Sequence, residues 1–419
     1  MIRLFKPGKI TVCLDGGAGS SAKGARGANI WKYYKEKHTK FVVNTFMENA
    51  AHTITTEDKE YIYQCLSSIS ILDDYEKQYI GPGAVFAEKT ILKEIADHKL
   101  TSEKLGIHPN VAIVTQIDVD YEKGLVDFEG NKKAEHSSAN LKIGSTLHGV
   151  GAARARRILR RPDAVIAKMV PTLNPFMCNT HEEILERLQN GESSLGEIAQ
   201  GWQLSLFSEF WPKVTSRNCS VPAFLDDTLL PMTVIGPVVV NYRTFPIRVN
   251  NNKYIRISDG KILTWDEFNS TTESDRKIIK GDSGGCYQDQ QEITWDDVSR
   301  ECGEKIFECT SLTRLPRRCY SFSTINMIRS LIYNNSGDDM YISVNFMNYI
   351  DASVKGKRTI DEVLTPKVVA WIKKYIWNNK NLLTLDKADV KIKGMFIGTW
   401  KTIDDSIFMS RNELVSLIK

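Results

Sequence analysis

Apolar residues gather in short runs at 10–14, 40–46, 110–116, 164–170, 232–241 and 341–350. Runs of that length, rich in Val and Ile, predict buried β-strands. Between many of them, apolar positions recur three or four residues apart, as in "ANIWKYYKEKH" (28–38) and "FAEKTILKEIADHKL" (86–100). That period predicts amphipathic helices. Strands alternating with helices predict an α/β protein, with a largely parallel central β-sheet flanked by helices. The stretch 248–295 is polar and turn-rich, and reads as an irregular, loop-rich insertion. No repeat, low-complexity linker or domain boundary interrupts the chain, so 1–419 is expected to form a single domain.

Composition narrows the function classes. Of 419 residues, 42% are hydrophobic and 25% charged, enough to bury a large core. Net charge is +4, from 55 basic and 51 acidic residues, too balanced for a nucleic-acid coat. Any positive site is local, and no nucleic-acid partner is expected. The eight cysteines form no C-x-x-C pair, which argues against zinc and suits the reduced thiols of a cytoplasmic protein. The start "MIRLFKPGKI" does not read as a signal peptide. Since no apolar run is long enough to span a bilayer, no membrane partner is expected.

The first apolar run empties into "LDGGAGSSAKG" (14–24). Glycines let a backbone approach phosphate oxygens, and a lysine adds a point charge. Yet Lys23 lies between Ala22 and Gly24, without the preceding Gly or the following Ser or Thr of a P-loop. Taken alone, the segment reads equally well as a tight turn. Other segments carry chemistry further on: "ENAAHT" (48–53), "IGSTLHGVGAARARRILRR" (143–161), "GEIAQGWQ" (196–203), "WPKVTSRN" (211–218) and "ECTSLTRLPRRC" (308–319). Within the arginine-rich segment, Arg154 and Arg156 read as a solvated helix face.

In this order and spacing the segments resemble the adenylosuccinate synthetase family, which joins aspartate to C6 of a purine nucleotide using a nucleoside triphosphate and magnesium. The family's G-D-E-G-K-G is matched by Gly19-Ser20-Ser21-Ala22-Lys23-Gly24. Its N-A-G-H-T is matched by Asn49-Ala50-Ala51-His52-Thr53, and its I-G-T-T-x-x-G-I-G by Ile143-Gly144-Ser145-Thr146 with Gly149-Val150-Gly151. Its E-G-A-Q-G and V-T-S-x-N recur as Glu197 to Gly201 and Val214 to Asn218. The resemblance covers about residues 10–405 and is weakest at 220–300.

The departures are as informative as the matches. Ser20 stands for the family's catalytic aspartate and Ser21 for the glutamate after it. Leu315 stands for an arginine on the ribose side of the substrate. In "VNFMNYID", Phe346 and Asn348 replace the lysine and aspartate that read the guanine of GTP. An ionised carboxylate accepts from guanine N1–H and N2–H, whereas an amide's donor and acceptor suit adenine. ATP or dATP is therefore the expected phosphoryl donor. These departures are similar to those of the family's viral branch, which acts on dGMP to make 2-aminoadenine nucleotides for phage DNA.

The resemblance implies a role for each matched residue. Catalytic roles fall to Ser20, Lys23 and His52, with His52, titratable near neutrality, as the acid toward the γ-phosphate or O6. Contacts to dGMP come from Ser20, Asn49, Ser145, Thr146, Gln200 and Thr215. Arg160 reaches the partner's site in a homodimer. The triphosphate falls to Gly19, Ser21, Ala22, Lys23, Gly24 and Thr53, and to Arg317, Asn348 and Gly398 in the second half of the chain. L-Aspartate is held by Thr310, Ser311, Leu312, Thr313 and Arg317, and Mg²⁺ lies at Ser20 and Ala51. Two other readings stay open from sequence: an ordinary synthetase acting on IMP, and a catalytically dead relative that senses purine nucleotides. If the gene is phage-encoded, the expected location is the host cytoplasm.

Overall fold

The computed structural model describes residues 2–134, 143–249, 252–279, 281–309 and 316–418. Its centre is a nine-stranded sheet. In chain order the strands are β1 (Ile10–Asp15), β2 (Thr39–Asn44), β3 (Lys77–Ile80), β4 (Leu105–Ile107), β5 (Ser193–Glu197), β6 (Ile235–Arg243), β7 (Met340–Asn345), β8 (Ile392–Gly398) and β9 (Ser406–Ser410). Their order across the sheet is β9-β8-β7-β6-β1-β5-β2-β3-β4. Every pairing is parallel except β9 on β8.

Both faces are covered, so the central strands are apolar on both sides. Ile10, Val12 and Leu14 of β1, with Val238, Val240 and Tyr242 of β6, face one core, where Met327 and Leu331 of the helix Thr324–Tyr333 pack. Cys13 and Val239 face the other core, against Ala28, Ile30 and Trp31 of the helix Lys23–Tyr34.

The apolar runs at 10–14, 40–46, 232–241 and 341–350 overlap β1, β2, β6 and β7, although Met232–Val234 and Met347–Tyr349 form 3₁₀ turns. Two runs behave otherwise. From 110–116 only Ala112–Ile113 is strand, paired with Val85–Phe86 outside the main sheet. The run 164–170 is no strand, because the amides of Ala167 and Lys168 are spent on the carbonyls of Val111 and Pro109, and Ala167–Met169 coils into a 3₁₀ turn. Conversely β5 lies at the centre of the sheet with little apolar signal. Its Ser193 and Ser194 are fully buried, and a Cβ on Gly196 would stand 2.8 Å from the Phe224 ring. Small residues there make room for the helix Val221–Thr228.

Segment 248–295 carries a hairpin, Lys253–Arg256 on Arg276–Ile279, and a helix, Trp265–Ser270, with Tyr254, Leu263 and Phe268 as a small cluster of their own. Among the described residues no helix is long and apolar enough to cross a membrane. The carboxyl ends of β1, β2, β5, β6, β7 and β8 carry Asp15, Asn44, Glu197, Arg243, Asn345 and Gly398. In open parallel sheets that edge is where ligands bind.

Candidate active site

The glycine loop after β1 is built around Asp15. This carboxylate is 1% exposed and accepts from the backbone N–H groups of Gly17 (2.7 Å), Gly19 (3.4 Å) and Ser21 (3.2 Å). Around it Gly19, Ser20 and Ala22 adopt left-handed conformations, with φ of 91°, 55° and 60°. For Ser and Ala that costs about 1–2 kcal/mol each, and the charge-assisted bonds to Asp15 offset it. The turn after β5 docks on the same loop. Gln203 donates its N–H to the Gly17 carbonyl (3.0 Å), and a Cβ on Gly201 would lie 2.3 Å from that oxygen. The loop therefore differs from a P-loop in its physics, since its inner amides already serve an internal carboxylate. Anion-binding capacity resides instead at the start of the helix Lys23–Tyr34, whose N-cap Ala22 makes no side-chain cap. Gly24 is packed against Ser68 and Ile54 there, and the Lys23 ammonium makes no hydrogen bond or ion pair among the described residues.

Ser20 sits exposed at the crest, where two distant arginines meet it. Arg317 Nη1 donates to its hydroxyl and Arg243 Nη1 to its carbonyl, each at 3.1 Å. Arg243 is buried, ion-paired to Glu308, and lies 4.3 Å above the Phe346 ring. Tyr349 donates to the same glutamate at 2.7 Å. Burial works to raise the Glu308 carboxyl, but Arg243 and the Tyr349 hydroxyl outweigh it and hold Glu308 below the usual range. Ser20, Glu308, Arg317 and the turn 346–349 thus converge. Neither Arg243 nor Glu308 was singled out from sequence, and nor was Asp15. The available signal was a charged residue closing an apolar strand, as Asp15 closes β1 and Arg243 closes β6.

His52 stacks on Phe46 with ring centroids 3.8 Å apart and planes 12° from parallel. The expectation that it titrates near neutrality needs correction. Burial, helped by the positive charge of Lys23, pushes its pKa well below 6.5, so the ring is neutral at pH 7. Its Nε2 is buried without a partner, as are Thr215 Oγ1, Ser216 Oγ and Asn348 Oδ1. Leaving such an atom unpaired costs about 1–3 kcal/mol, so each of these atoms is open to a partner from a ligand or from water. Gln200, left-handed at φ 57°, donates to Asn49 Oδ1 at 2.6 Å.

The other candidates are less committed. Ser145 Oγ accepts from the Leu147 N–H (3.2 Å), while Thr146, Ala51 and Thr53 are exposed, Thr53 on the hairpin His52–Thr55/Glu60–Tyr63. Gly398 is required for packing, because a Cβ there would stand 2.4 Å from Asn345 Oδ1. Thr310, Ser311, Leu312, Thr313 and Leu315 lie outside the described residues.

The arginine-rich helix Val150–Ile158 corrects the reading of a solvated face. Arg156 is 3% exposed, bonded to Asp118 (2.8 Å), to Asp163 and to the Phe128 carbonyl (2.7 Å). Arg154 is mostly buried as well, with Nε unpartnered. Arg160, by contrast, is exposed at φ 52° just beyond the helix, following Ile158 and Leu159, which are 70% and 61% exposed.

Ser20 and Ala51 offer a hydroxyl and a main-chain carbonyl, both at the surface. Among the described residues no group of three His, Cys, Asp or Glu side chains could hold a metal. Such a neutral oxygen pair fits Mg²⁺ arriving with a triphosphate, whose oxygens balance its charge.

A sequence model of the adenylosuccinate synthetase family matches residues 33–166. The N6-succino-2-amino-2'-deoxyadenylate synthase of Vibrio phage phiVC8 is 30% identical over 352 residues, 81% of this chain and 86% of that protein. The enzyme of the same name from Acinetobacter phage SH-Ab 15497 is 28% identical and covers 85% and 88% of the two chains. Among solved structures, the cyanophage S-2L succinoaminodeoxyadenylate synthetase, bound to dGMP and to dATP as an energy donor, superposes with a TM-score of 0.70 over 98% of each chain at 24% identity. Adenylosuccinate synthetase from Plasmodium falciparum shares the fold at a TM-score of 0.64 and 15% identity, over 96% of this chain and 100% of that one. With the motifs in register and most of a 30%-identical relative covered, the chain belongs to the adenylosuccinate synthetase family and is a carbon–nitrogen ligase.

Proposed function

We propose that this ligase joins L-aspartate to C6 of dGMP, using ATP or dATP with Mg²⁺, to give N6-succino-2-amino-2'-deoxyadenylate, a nucleoside diphosphate and phosphate. It does so as a single domain, paired in a homodimer in the host cytoplasm. The observation that carries this reading is Ser20 in the aspartate's place, bonded by Arg317, together with a retained Lys23 and a His52 whose Nε2 has no hydrogen-bond partner. Phage relatives that share most of the chain support it, as does the S-2L relative bound to dGMP and dATP.

A purine 6-oxo group leaves poorly, so the γ-phosphoryl group passes first to O6 while the N1 proton is released to solvent, and the nucleoside diphosphate departs. The aspartate amine then attacks C6; the new C–N bond forms as the C6–O6 bond breaks and phosphate leaves. This chemistry needs alignment and charge neutralisation more than covalent help. The Lys23 ammonium and the start of its helix neutralise the transferring phosphoryl group. His52 acts as a neutral N–H donor to the γ-phosphate or O6, held flat against Phe46. Ser20 gives the N1 edge of the base a neutral hydroxyl where other family members place a charge. Gln200, Asn49 and Thr215 orient dGMP. Arg317, freed from Ser20, turns to the aspartate carboxylates with Thr310 to Thr313. Asn348 Oδ1 accepts from adenine N6–H₂. The Ser20 hydroxyl and the Ala51 carbonyl would hold Mg²⁺, which would supply positive charge to the triphosphate.

The test is phosphate release from ATP with aspartate and Mg²⁺, comparing dGMP with IMP. Turnover that requires dGMP and aspartate together supports the reading; faster turnover of IMP overturns it.

A further inference from the structure

Arg154 occupies an unusual position. Burial lowers its pKa, yet it makes no hydrogen bond or ion pair among the described residues, and its Nε is buried without a partner. Its neighbours do not satisfy it. Arg157 and Arg217 lie close by, and Asp227 is the carboxylate among them. Asp227 is already ion-paired to Arg217 at 2.9 Å. Arg217 is further engaged with the carbonyl of Thr45 (2.5 Å) and its hydroxyl (3.0 Å), and Arg157 with the carbonyl of Pro82 (2.6 Å). Three guanidinium groups thus surround one carboxylate, and Arg154 is the one left uncommitted. A largely buried cation that shares its one carboxylate with two other guanidinium groups gains when an anion joins it.

The helix shows what lies on that side. A Cβ on Gly151 would lie 3.9 Å from Ser216 Cβ, so this face of the helix Val150–Ile158 packs over Ser216. Arg154 follows three residues later, on the same face. Ser216 Oγ and Thr215 Oγ1, on the segment that Gly151 covers, are both buried and unpartnered. Two hydroxyl donors and an uncommitted guanidinium thus share this side of the site with Gln200, whose Oε1 lies 4.0 Å from Cys219 Sγ. That donor set suits a phosphate monoester dianion.

We infer that Arg154 binds the 5'-phosphate of the substrate nucleotide from within the same chain, together with Thr215 and Ser216, whereas the family resemblance assigns that phosphate to Arg160 of the partner subunit. The inference rests on the reading above that a purine 5'-nucleotide is the substrate, but it concerns the phosphate and not the base. Arg160, exposed and beyond the helix, is then an addition to the phosphate site and not its foundation.

Calorimetric titration of the full chain with dGMP and with deoxyguanosine, which lacks the phosphate, tests this. Arg154→Gln is expected to weaken dGMP binding about 10- to 150-fold, the range for a lost charged hydrogen bond, and to leave deoxyguanosine unchanged. Arg154→Lys keeps the charge and recovers most of the loss. Equal weakening of both ligands, or unchanged dGMP binding, overturns the assignment. Mixing Arg154→Gln with His52→Ala subunits separates the two chains' roles: no recovery of turnover fits action in the same chain, and recovery overturns it. The dGMP-against-IMP comparison in wild type stands apart, since a preference for IMP overturns the proposed substrate while leaving the phosphate assignment intact.

Discussion

Replacing Asp15 by Asn removes one charge from beneath the loop at almost no change in shape. The carboxylate accepts from Gly17, Gly19 and Ser21, two amides on one oxygen and one on the other. Asn has one acceptor oxygen and a donor NH₂. Its best arrangement keeps the oxygen on Gly17 and Gly19 and sets the NH₂ against the Ser21 N–H, donor facing donor. Losing that charge-assisted bond costs about 1.5–3 kcal/mol, and the two remaining bonds fall to roughly half strength. The left-handed Ser20 and Ala22, at φ 55° and 60°, need a comparable amount of support, about 1–2 kcal/mol each. The anchor and the strain are therefore nearly balanced, and the variant loop should open. Hydrogen exchange read by mass spectrometry on the peptide spanning 14–24 should quicken about 10- to 150-fold. Turnover should fall with it, because Lys23 and Ser20 both depend on the loop's path. If exchange stays within about threefold and kcat within about twofold of wild type, Asp15 does not hold the loop and the reasoning fails.

His52→Ala should lower kcat about 10²–10⁴-fold with KM for dGMP barely moved, as steady-state kinetics would show. The same residue has a stability signature. Its folded pKa is depressed below 6.5, so the unfolded chain takes up a proton that the folded chain resists. The stability it contributes is full above pH 6.5 and declines as the pH falls below that value; denaturant titrations at several pH values should show His52→Ala flattening this decline. Asn348→Asp should shift the ATP:GTP ratio of kcat/KM toward GTP by about 1–3 kcal/mol, by analogy with bidentate base reading; an unchanged ratio would mean that another segment reads the base. Arg156→Ala leaves Asp118, 1% exposed, without its charge partner, and should destabilise the fold by about 3–5 kcal/mol in chemical denaturation.

Local patterns already carried the α/β architecture, the parallel sheet and the family. Alternation of apolar runs with helical periods is a property of neighbouring residues, and the motifs keep their spacing along the chain. Short segments therefore pointed to Lys23, His52, Gln200 and Thr215 as members of one kind of site. The same reasoning missed β5, because a central strand can be filled with serine and glycine when a helix packs closely on it. It misread 164–170, because an apolar run says nothing of where its amides will find carbonyls. The charge state of His52 was equally hidden, since it depends on Phe46 stacking and Lys23 proximity. Contacts across great sequence distance were decided only by folding. Ser20 meets Arg317 from 297 residues away and Arg243 from 223. Arg154 and Arg156 sit two positions apart in one helix, yet Arg156 closes an ion pair with Asp118 while Arg154 stands uncommitted beside Asp227. Helical periodicity sets which way a side chain leaves the helix. Whether a counter-ion waits there depends on elements brought in from elsewhere in the chain, and that was settled only when the sheet assembled.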